Sequence, residues 1–496
     1  MTDTNQHHES TRALHTDLYQ LTMAVGYLRR GIADTRVVCE AFVRRLPRHR
    51  SFLLVAGLAR IVELLRQGLR FTPEQIAYLE SLEVFRGRLD DELKRKLLDF
   101  RFEGDLWAIP EGTVAFANEP LLRVEAPLWQ AQLVETGLLS ILNHATLVAT
   151  KAARIVAAAA AGGAGVMEFG TRRTSIDAAV DAARAAYIAG CVGTSNVEAG
   201  FRHGIPIYGT MAHMWTMVHR SEAAAFDSYL AAYPGGTTLL VDTYGTVEGT
   251  RRACAAARRA GGPRAPQARR APERSAQHGC LAAVRVDSEL FDDAGRPSGI
   301  CRRVREILDG EGFTGTRIVV SDDMNEERIA ALLGAGEPID AFGVGTELVT
   351  SKDAPALGGV YKVVWVGGAG DGRPAVKLSP GKVTYPGAHQ ILREHDDAGR
   401  MARDTLALAD EALPGTPLLE QILEGGQLAG GRTRDHLEDL ESIRARARAQ
   451  LAALPRGAIL QDSPALEVAP SARLRALQQE TEARLRAHLN PNQGDE

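Results

Sequence analysis

Gly165-Val166-Met167-Glu168-Phe169-Gly170-Thr171-Arg172-Arg173-Thr174-Ser175-Ile176 decides the fold. It reads as a short apolar strand, a glycine turn carrying two arginines, and a polar residue that opens a helix. The unit recurs downstream. Apolar runs at Val166–Phe169, Ile205–Tyr208, Leu239–Val241, Ala283–Val286, Ile318–Val320 and Ala341–Val344 alternate with helical stretches at Ile176–Ala189, Ala223–Ala232, Gly299–Leu308 and Glu326–Leu333. Repeated alternation of strand and helix implies a parallel sheet with crossover helices, doubly wound or closed, and the count and regular order favour a closed α/β barrel. Polar motifs follow the strands, where barrels place their chemistry.

Working outward, the 496 residues are too many for one ordinary core. With 45% hydrophobic and 24% charged residues the composition is that of a soluble globular protein, and a net charge of −4 gives no overall attraction to nucleic acid. The start of the chain lacks the pattern of a signal peptide, and the longest apolar stretch, Ile155–Met167, is shorter than the ~20 residues a membrane span needs. No membrane role is expected. The scattered cysteines Cys39, Cys191, Cys254, Cys280 and Cys301 have no metal-ligand spacing and point to a reducing, cytoplasmic compartment.

Before the alternating region, Leu14–Leu28 has helical spacing, Val37–Val43 reads as a strand, Val55–Leu65 as a helix, and the Pro- and Gly-punctuated run from Ile109 as small hairpins. Trp129–Ala161 suits one or two buried helices. Arg258–His278 is too rich in Arg and Pro for a packed element and is expected to be a flexible insertion. Helical faces at Leu437–Leu451 and Leu474–Leu489 predict a helical C-terminal extension. The expected division is residues 1–130, an N-terminal α/β domain; 131–365, the barrel, with the insertion near 258–280; and 366–496, the extension.

Several strand ends carry candidate chemistry. Arg172 and Arg173 suit bidentate contacts to a carboxylate or phosphate, although a surface ion pair is as good a reading. Gly193-Thr194-Ser195-Asn196 suits either a phosphate or an ordinary helix cap. Thr210 and His213 follow the Ile205–Tyr208 run, and a lone histidine is more often structural than catalytic. Asp242 and Asp287 each end an apolar run and suit magnesium or ribose contacts as well as capping. Gly345 and Thr346 suit a phosphate cradle built from backbone N–H groups.

In order, these stretches resemble the nicotinate phosphoribosyltransferase family from Thr16 to about Arg393. The resemblance rests on Thr16-Asp17-Leu18-Tyr19-Gln20-Leu21-Thr22-Met23, Asn143-His144-Ala145-Thr146-Leu147-Val148-Ala149-Thr150-Lys151-Ala152-Ala153-Arg154, Glu168-Phe169-Gly170-Thr171-Arg172-Arg173, Gly193-Thr194-Ser195-Asn196 and Gly209-Thr210-Met211-Ala212-His213. It continues through Val241-Asp242-Thr243-Tyr244, Ile339-Asp340-Ala341-Phe342-Gly343-Val344-Gly345-Thr346, Gly358-Gly359-Val360-Tyr361-Lys362, Lys377-Leu378-Ser379 and Lys382.

The resemblance implies an irregular α/β barrel with an N-terminal α/β domain and a C-terminal extension, working as a homodimer. It implies transfer of the phosphoribosyl group of phosphoribosyl pyrophosphate (PRPP) to nicotinate, with Mg2+ and with ATP as co-substrate, in NAD salvage. By the same resemblance Tyr19 stacks on the pyridine ring in the partner's site, Thr210 and Arg285 sit at the nicotinate site, Thr346 contacts a PRPP phosphate, and ATP transiently phosphorylates His213. Arg285 or Arg172 would grip the nicotinate carboxylate. The sequence departs from the family at Asp287-Ser288-Glu289, where the family carries glycine after the serine. Two alternatives stay open: a nicotinamide or other pyridine phosphoribosyltransferase, and a catalytically impaired relative serving as a binding subunit.

Overall fold

The computed structural model describes residues 12–262, 280–368, 372–379, 384–431, 437 and 439–489. The chain forms two units, one of Met1–Leu147 with Ala356–Glu496 and one of Val148–Pro355.

The first unit is built on a sheet in the order Arg373–Pro374, Gly359–Val366, Arg36–Val43, Pro120–Pro127, Asp105–Ala108, Glu420–Glu424, Gln427–Leu428. The inner strand Arg36–Val43 is antiparallel to both neighbours, with Cys39 opposite Val124 on one side and Val363 on the other. Six of its eight residues are buried, and apart from Arg36 and Glu40 the strand is apolar. Helices Leu18–Arg29, Leu58–Glu63, Pro73–Ser81 and Asp91–Leu98 bury their apolar stripes in the same core. Thr72 and Gln75 form a reciprocal capping box on the third of these, and Asp90 caps the fourth. The helix expected from Val55 begins only at Leu58, because Val55 O, which a helix would turn to the amide four residues on, accepts from Gly112 N (2.8 Å) and Gly57 has φ +105°.

The C-terminal extension has the two expected helices but also a sheet that was not expected. Strands Thr416–Pro417, His389–His395, Met401–Leu408 and Val468–Pro470 form a sheet of their own, and helices Leu440–Ala452 and Ala472–Leu489 come late. Charged residues inside these strands hid the pattern. Arg393 and Asp404 are a fully buried bidentate pair (Nε–Oδ1 2.9 Å, Nη2–Oδ2 2.5 Å), and His389 Nδ1 meets buried Glu40 at 2.6 Å. Beside the first pair, burial and the Asp404 charge push the Glu119 carboxyl well above the usual range.

The unit boundary falls within one helix, Leu128–Ala160. By length and apolar composition this helix would suffice to cross a membrane, but 56% of its most apolar window is packed inside the protein, and it carries Lys151 and Arg154 buried in ion pairs. It is a core helix.

In the second unit six parallel strands form one sheet, ordered Gly193–Thr194, Gly165–Glu168, Ala341–Val344, Arg317–Val320, Leu281–Val286, Thr237–Leu240. The expected α/β alternation is there, as a mixed α/β fold around a parallel half-barrel. Crossover helices include Ile176–Ile188, Glu222–Ala232, Thr246–Arg259, Ile300–Gly310 and Glu326–Gly334. The expected strand at Ile205–Tyr208 is instead an extended segment with a single bridge, Ile207 to Thr194. Pro206 has no N–H to give a ladder, and the backbone bonds are Thr194 N to Pro206 O (3.0 Å) and Tyr208 N to Thr194 O (2.8 Å). Arg258 and Arg259 continue a helix rather than opening a loop. The rest of the Arg/Pro-rich stretch, 263–279, and Lys382 lie outside the described residues.

Gly249 shows how tightly this unit packs. A Cβ there would lie 1.8 Å from Val241 O, a backbone atom at the end of a strand. Helix propensity alone favours alanine by about 1 kcal/mol, but the clash must move backbone, and overpacking of this kind costs about 2 to 3 kcal/mol. Gly249→Ala is therefore expected to lower the melting temperature by several degrees, and thermal denaturation that shows a rise would refute this packing.

Candidate active site

The C-terminal ends of the parallel strands converge on a cavity of about 330 Å³. Phe169 and Thr171–Arg173 follow Gly165–Glu168, Ser195 follows Gly193–Thr194, and Gly209–Ala212 follow the bridged Ile207. Asp287 follows Leu281–Val286, Ser321–Asp323 follow Arg317–Val320, and Gly345–Thr346 follow Ala341–Val344. Parallel strands point all these turns the same way.

Two of the walls share a buried carboxylate. Glu168 accepts hydrogen bonds from the Gly170 amide and the Thr194 hydroxyl, tying the arginine turn to the Ser195 turn. Burial pushes its carboxyl up, and these two donors oppose the shift. Glycines keep the walls close: a Cβ on Gly343 would meet the Phe169 ring at 2.3 Å, and one on Gly170 would meet Val349 at 2.3 Å.

Arg172, Thr210, Arg285, Asp287, Gly345 and Thr346 all line the cavity. Arg285 is mostly buried, with Nη2 3.5 Å from Asp287 Oδ2, and its Nε is a buried donor with no acceptor among the described residues. Burial pushes its guanidinium below the usual value, the charges of Asp287 and Asp242 oppose that, and nearby Arg172 reinforces it. A cation so placed is stabilised by an anionic ligand. The Thr210 hydroxyl donates to Thr238 O, so toward the cavity it offers lone pairs.

His213 and Asp242 are not among the lining residues, but both contact the turn that carries Asp287. His213 Nε2 is 3.8 Å from Asp287 Oδ2, and its Nδ1 is 3.2 Å from Thr243 Oγ1. Asp242 Oδ2 accepts from the Asp287 amide at 2.7 Å and the Ser288 hydroxyl at 2.6 Å, while its buried Oδ1 has no partner among the described residues. Asp242 thus holds the turn that presents Asp287. In the same turn Glu289, at the position where the resemblance expects glycine, has φ +60°, the left-handed region that favours glycine. Its side chain accepts from Thr246 N (3.4 Å) and its carbonyl from Ser298, which hold the turn in place.

Tyr19 belongs to the other unit, on helix Leu18–Arg29, with 47% of its surface exposed. Asn196 proves to be a helix cap, its Oδ1 accepting from Ala199 N at 2.9 Å. Ser321-Asp322-Asp323 was not anticipated, though its acids end an apolar run just as Asp242 and Asp287 do. Asp322 and Asp323 have φ of 103° and 39°, a conformation that costs about 1 kcal/mol or more per residue and clusters at functional sites. Burial raises the Asp322 carboxyl, Arg328 at 3.1 Å opposes this, and Asp323 and Asp287 add to the rise. The cavity thus sets three arginines, Arg172, Arg173 and Arg285, among three aspartates, Asp287, Asp322 and Asp323. It can hold anions at the cationic positions beside a group that develops positive charge.

Comparison with known proteins gives one answer. Residues 14–143 match the nicotinate phosphoribosyltransferase (NAPRTase) N-terminal domain, and residues 165–244 match the nicotinate phosphoribosyltransferase (NAPRTase) family. The nicotinate phosphoribosyltransferase pncB2 of Mycobacterium tuberculosis is 43% identical over 89% of this chain and 88% of its own. The nicotinate phosphoribosyltransferase of Bacillus subtilis is 38% identical over 81% of this chain and 77% of its own. Among solved structures, human nicotinic acid phosphoribosyltransferase superposes with a TM-score of 0.75 at 28% identity, covering 94% of this chain and 99% of that one.

Proposed function

The chain belongs to the nicotinate phosphoribosyltransferase family, and from that premise we propose how its cavity carries out the family's reaction. The protein is a nicotinate phosphoribosyltransferase of NAD salvage: it joins nicotinate to PRPP, forming nicotinate mononucleotide and pyrophosphate. The observation that carries the site assignment is Arg285, a buried cation with an unpaired Nε in the wall of a cavity whose other side offers the Gly345–Thr346 turn.

In this reading Arg285, helped by Arg172, holds the nicotinate carboxylate, Thr210 lies beside the ring, and Gly345 and Thr346 cradle a phosphate of PRPP. The pyridine nitrogen lone pair attacks the anomeric carbon as the bond from that carbon to the pyrophosphate oxygen breaks. The nitrogen becomes a pyridinium, and the bonding pair leaves on pyrophosphate. Asp287, positioned by Asp242, stabilises the cation-like ribose, with Asp322 and Asp323 adding to the negative field. Holding both substrates in one small cavity supplies much of the rate.

The donor set fits magnesium. Among the described residues no group of three or more His, Cys, Asp or Glu side chains forms a closed metal site, and magnesium characteristically binds through one or two carboxylates together with substrate phosphates. One or two of Asp287, Asp322 and Asp323 would hold it, and when bound it would neutralise charge on the pyrophosphate. ATP is the co-substrate: its γ-phosphoryl group passes to a His213 ring nitrogen, ADP leaves, and water later releases phosphate. The added charge and acceptor oxygens order nearby donors and so favour PRPP binding.

The half-barrel is one wall of an irregular α/β barrel, a reading supported by the Ile207 bridge that extends the sheet beyond Gly193–Thr194. The working form is a homodimer in which Tyr19 completes the partner's site. Support comes from uncovered apolar residues, Leu18, Tyr19 and Met23 on one unit and Phe201, Met214, Met217 and Val218 on the other. All five cysteines are free, and burial pushes Cys39, Cys254 and Cys301 up to about 12, as suits unreactive thiols in a reducing compartment such as the cytoplasm.

The test is to incubate the protein with nicotinate, PRPP, magnesium and ATP and to assay nicotinate mononucleotide and pyrophosphate. Equimolar products are expected, and turnover of nicotinamide at a comparable rate would refute the assignment. His213→Ala is expected to abolish the ATP-dependent gain and the release of ADP while keeping the ATP-free rate. Undiminished ATP stimulation in this variant would remove His213 from the coupling.

A further inference from the structure

The Asn143–Arg154 motif supplies no cavity residue, yet it places Lys151 on the largely apolar helix Leu128–Ala160 with only 2% of its side chain exposed. Three carboxylates surround its ammonium: Glu326 Oε2 at 2.5 Å, Asp353 Oδ1 at 3.2 Å and Glu347 Oε2 at 3.7 Å. Arg154 Nε adds a contact to Glu326 at 3.2 Å, and Lys352 Nζ one to Glu347 at 3.1 Å. In these contacts three cations meet three carboxylates. Burying such a cluster is weak evidence for stability, since apolar packing often does as well, but it fixes geometry because each charge must keep its partner.

The partners are what matter. Glu326 is the first residue of helix Glu326–Gly334, three positions after the cavity residue Asp323. Glu347 directly follows the cavity residue Thr346 in the short helix Thr346–Val349. The strands that feed these two turns, Arg317–Val320 and Ala341–Val344, are parallel neighbours. One ammonium therefore bridges the elements behind two adjacent cavity walls, Ser321–Asp323 and Gly345–Thr346.

We propose that Lys151 is a positioning residue that sets the gap between these two walls and thereby tunes the site for the sugar phosphate rather than for the pyridine acid. The inference rests on the proposed reading that these walls face PRPP. Arg285, in strand Leu281–Val286, and Thr210 belong to other elements and make none of these contacts.

The test uses the full chain with Lys151→Met and Lys151→Arg. A shift of the walls by a fraction of an ångström is expected to raise the KM for PRPP about tenfold in Lys151→Met, because site geometry is steeply weighted. The nicotinate KM stays within about twofold in the same variant, and Lys151→Arg recovers most of the loss. If Lys151→Met does not fold, Glu347→Gln, which removes one of three carboxylates, is expected to raise the PRPP KM about threefold with the same selectivity. Parallel rises in both KM values, or a lowered melting temperature with both KM values unchanged, would overturn the proposal. The wild-type arm tests the underlying reading separately: should it form no nicotinate mononucleotide, PRPP titrated by calorimetry into wild type and variants still decides, and equal affinities reject the role of Lys151.

Discussion

Replacing Arg285 by alanine is expected to raise the KM for nicotinate by about ten- to a hundredfold, the loss of one charge-assisted contact of roughly 1.5 to 3 kcal/mol. The PRPP KM should move far less. The argument runs through burial: the Arg285 guanidinium is mostly buried, held at one edge by Asp287 at 3.5 Å, and leaves Nε unpaired. A carboxylate supplies the missing acceptor and charge, whereas the neutral carboxamide of nicotinamide supplies only the acceptor. Arg285→Ala should therefore also narrow the preference for acid over amide. Arg285→Lys should not restore it, because an ammonium lacks the planar fork. Steady-state kinetics with both pyridines checks this, and an unchanged nicotinate KM would remove Arg285 from the pyridine site.

Asp242→Ala is expected to be the most damaging change outside the cavity wall. It removes the acceptor of the Asp287 amide and the Ser288 hydroxyl, two charge-assisted bonds that together contribute about 3 kcal/mol. The turn it releases carries Asp287, which faces both Arg285 and His213. Misplacing such a group by about 1 Å costs roughly a hundredfold in rate, so kcat/KM should fall by about that factor for both substrates, with a lower melting temperature. A variant with near-normal kcat would mean that the Asp287 turn holds itself.

The parallel sheet was legible because strands buried on both faces make apolar runs that stop at turn residues, and Ala341–Val344 was read with its exact bounds. The site was legible for the same reason: six of the nine candidate residues end those runs or follow them into one cavity. The remaining three are Tyr19, on the other unit, and His213 and Asp242, which contact the Asp287 turn without lining the cavity.

What stayed hidden was long-range or charged. Nothing in Gly359–Val366 announces that it pairs with Arg36–Val43, more than three hundred residues earlier. Strands His389–His395 and Met401–Leu408 were missed because patterning treats Arg393, Asp404 and His389 as surface residues, whereas each is buried against an opposite or hydrogen-bonding partner. Asp322 and Asp323 were passed over because their left-handed backbone, the feature that sets them apart, is a property of the folded turn.

A crystal structure of the protein with nicotinate mononucleotide bound would test the central claim most directly. The account predicts the product in the cavity at the strand ends, its carboxylate against Arg285 and its phosphate against the backbone of Gly345 and Thr346. Product bound elsewhere, or bound there with the carboxylate away from both Arg285 and Arg172, would contradict it.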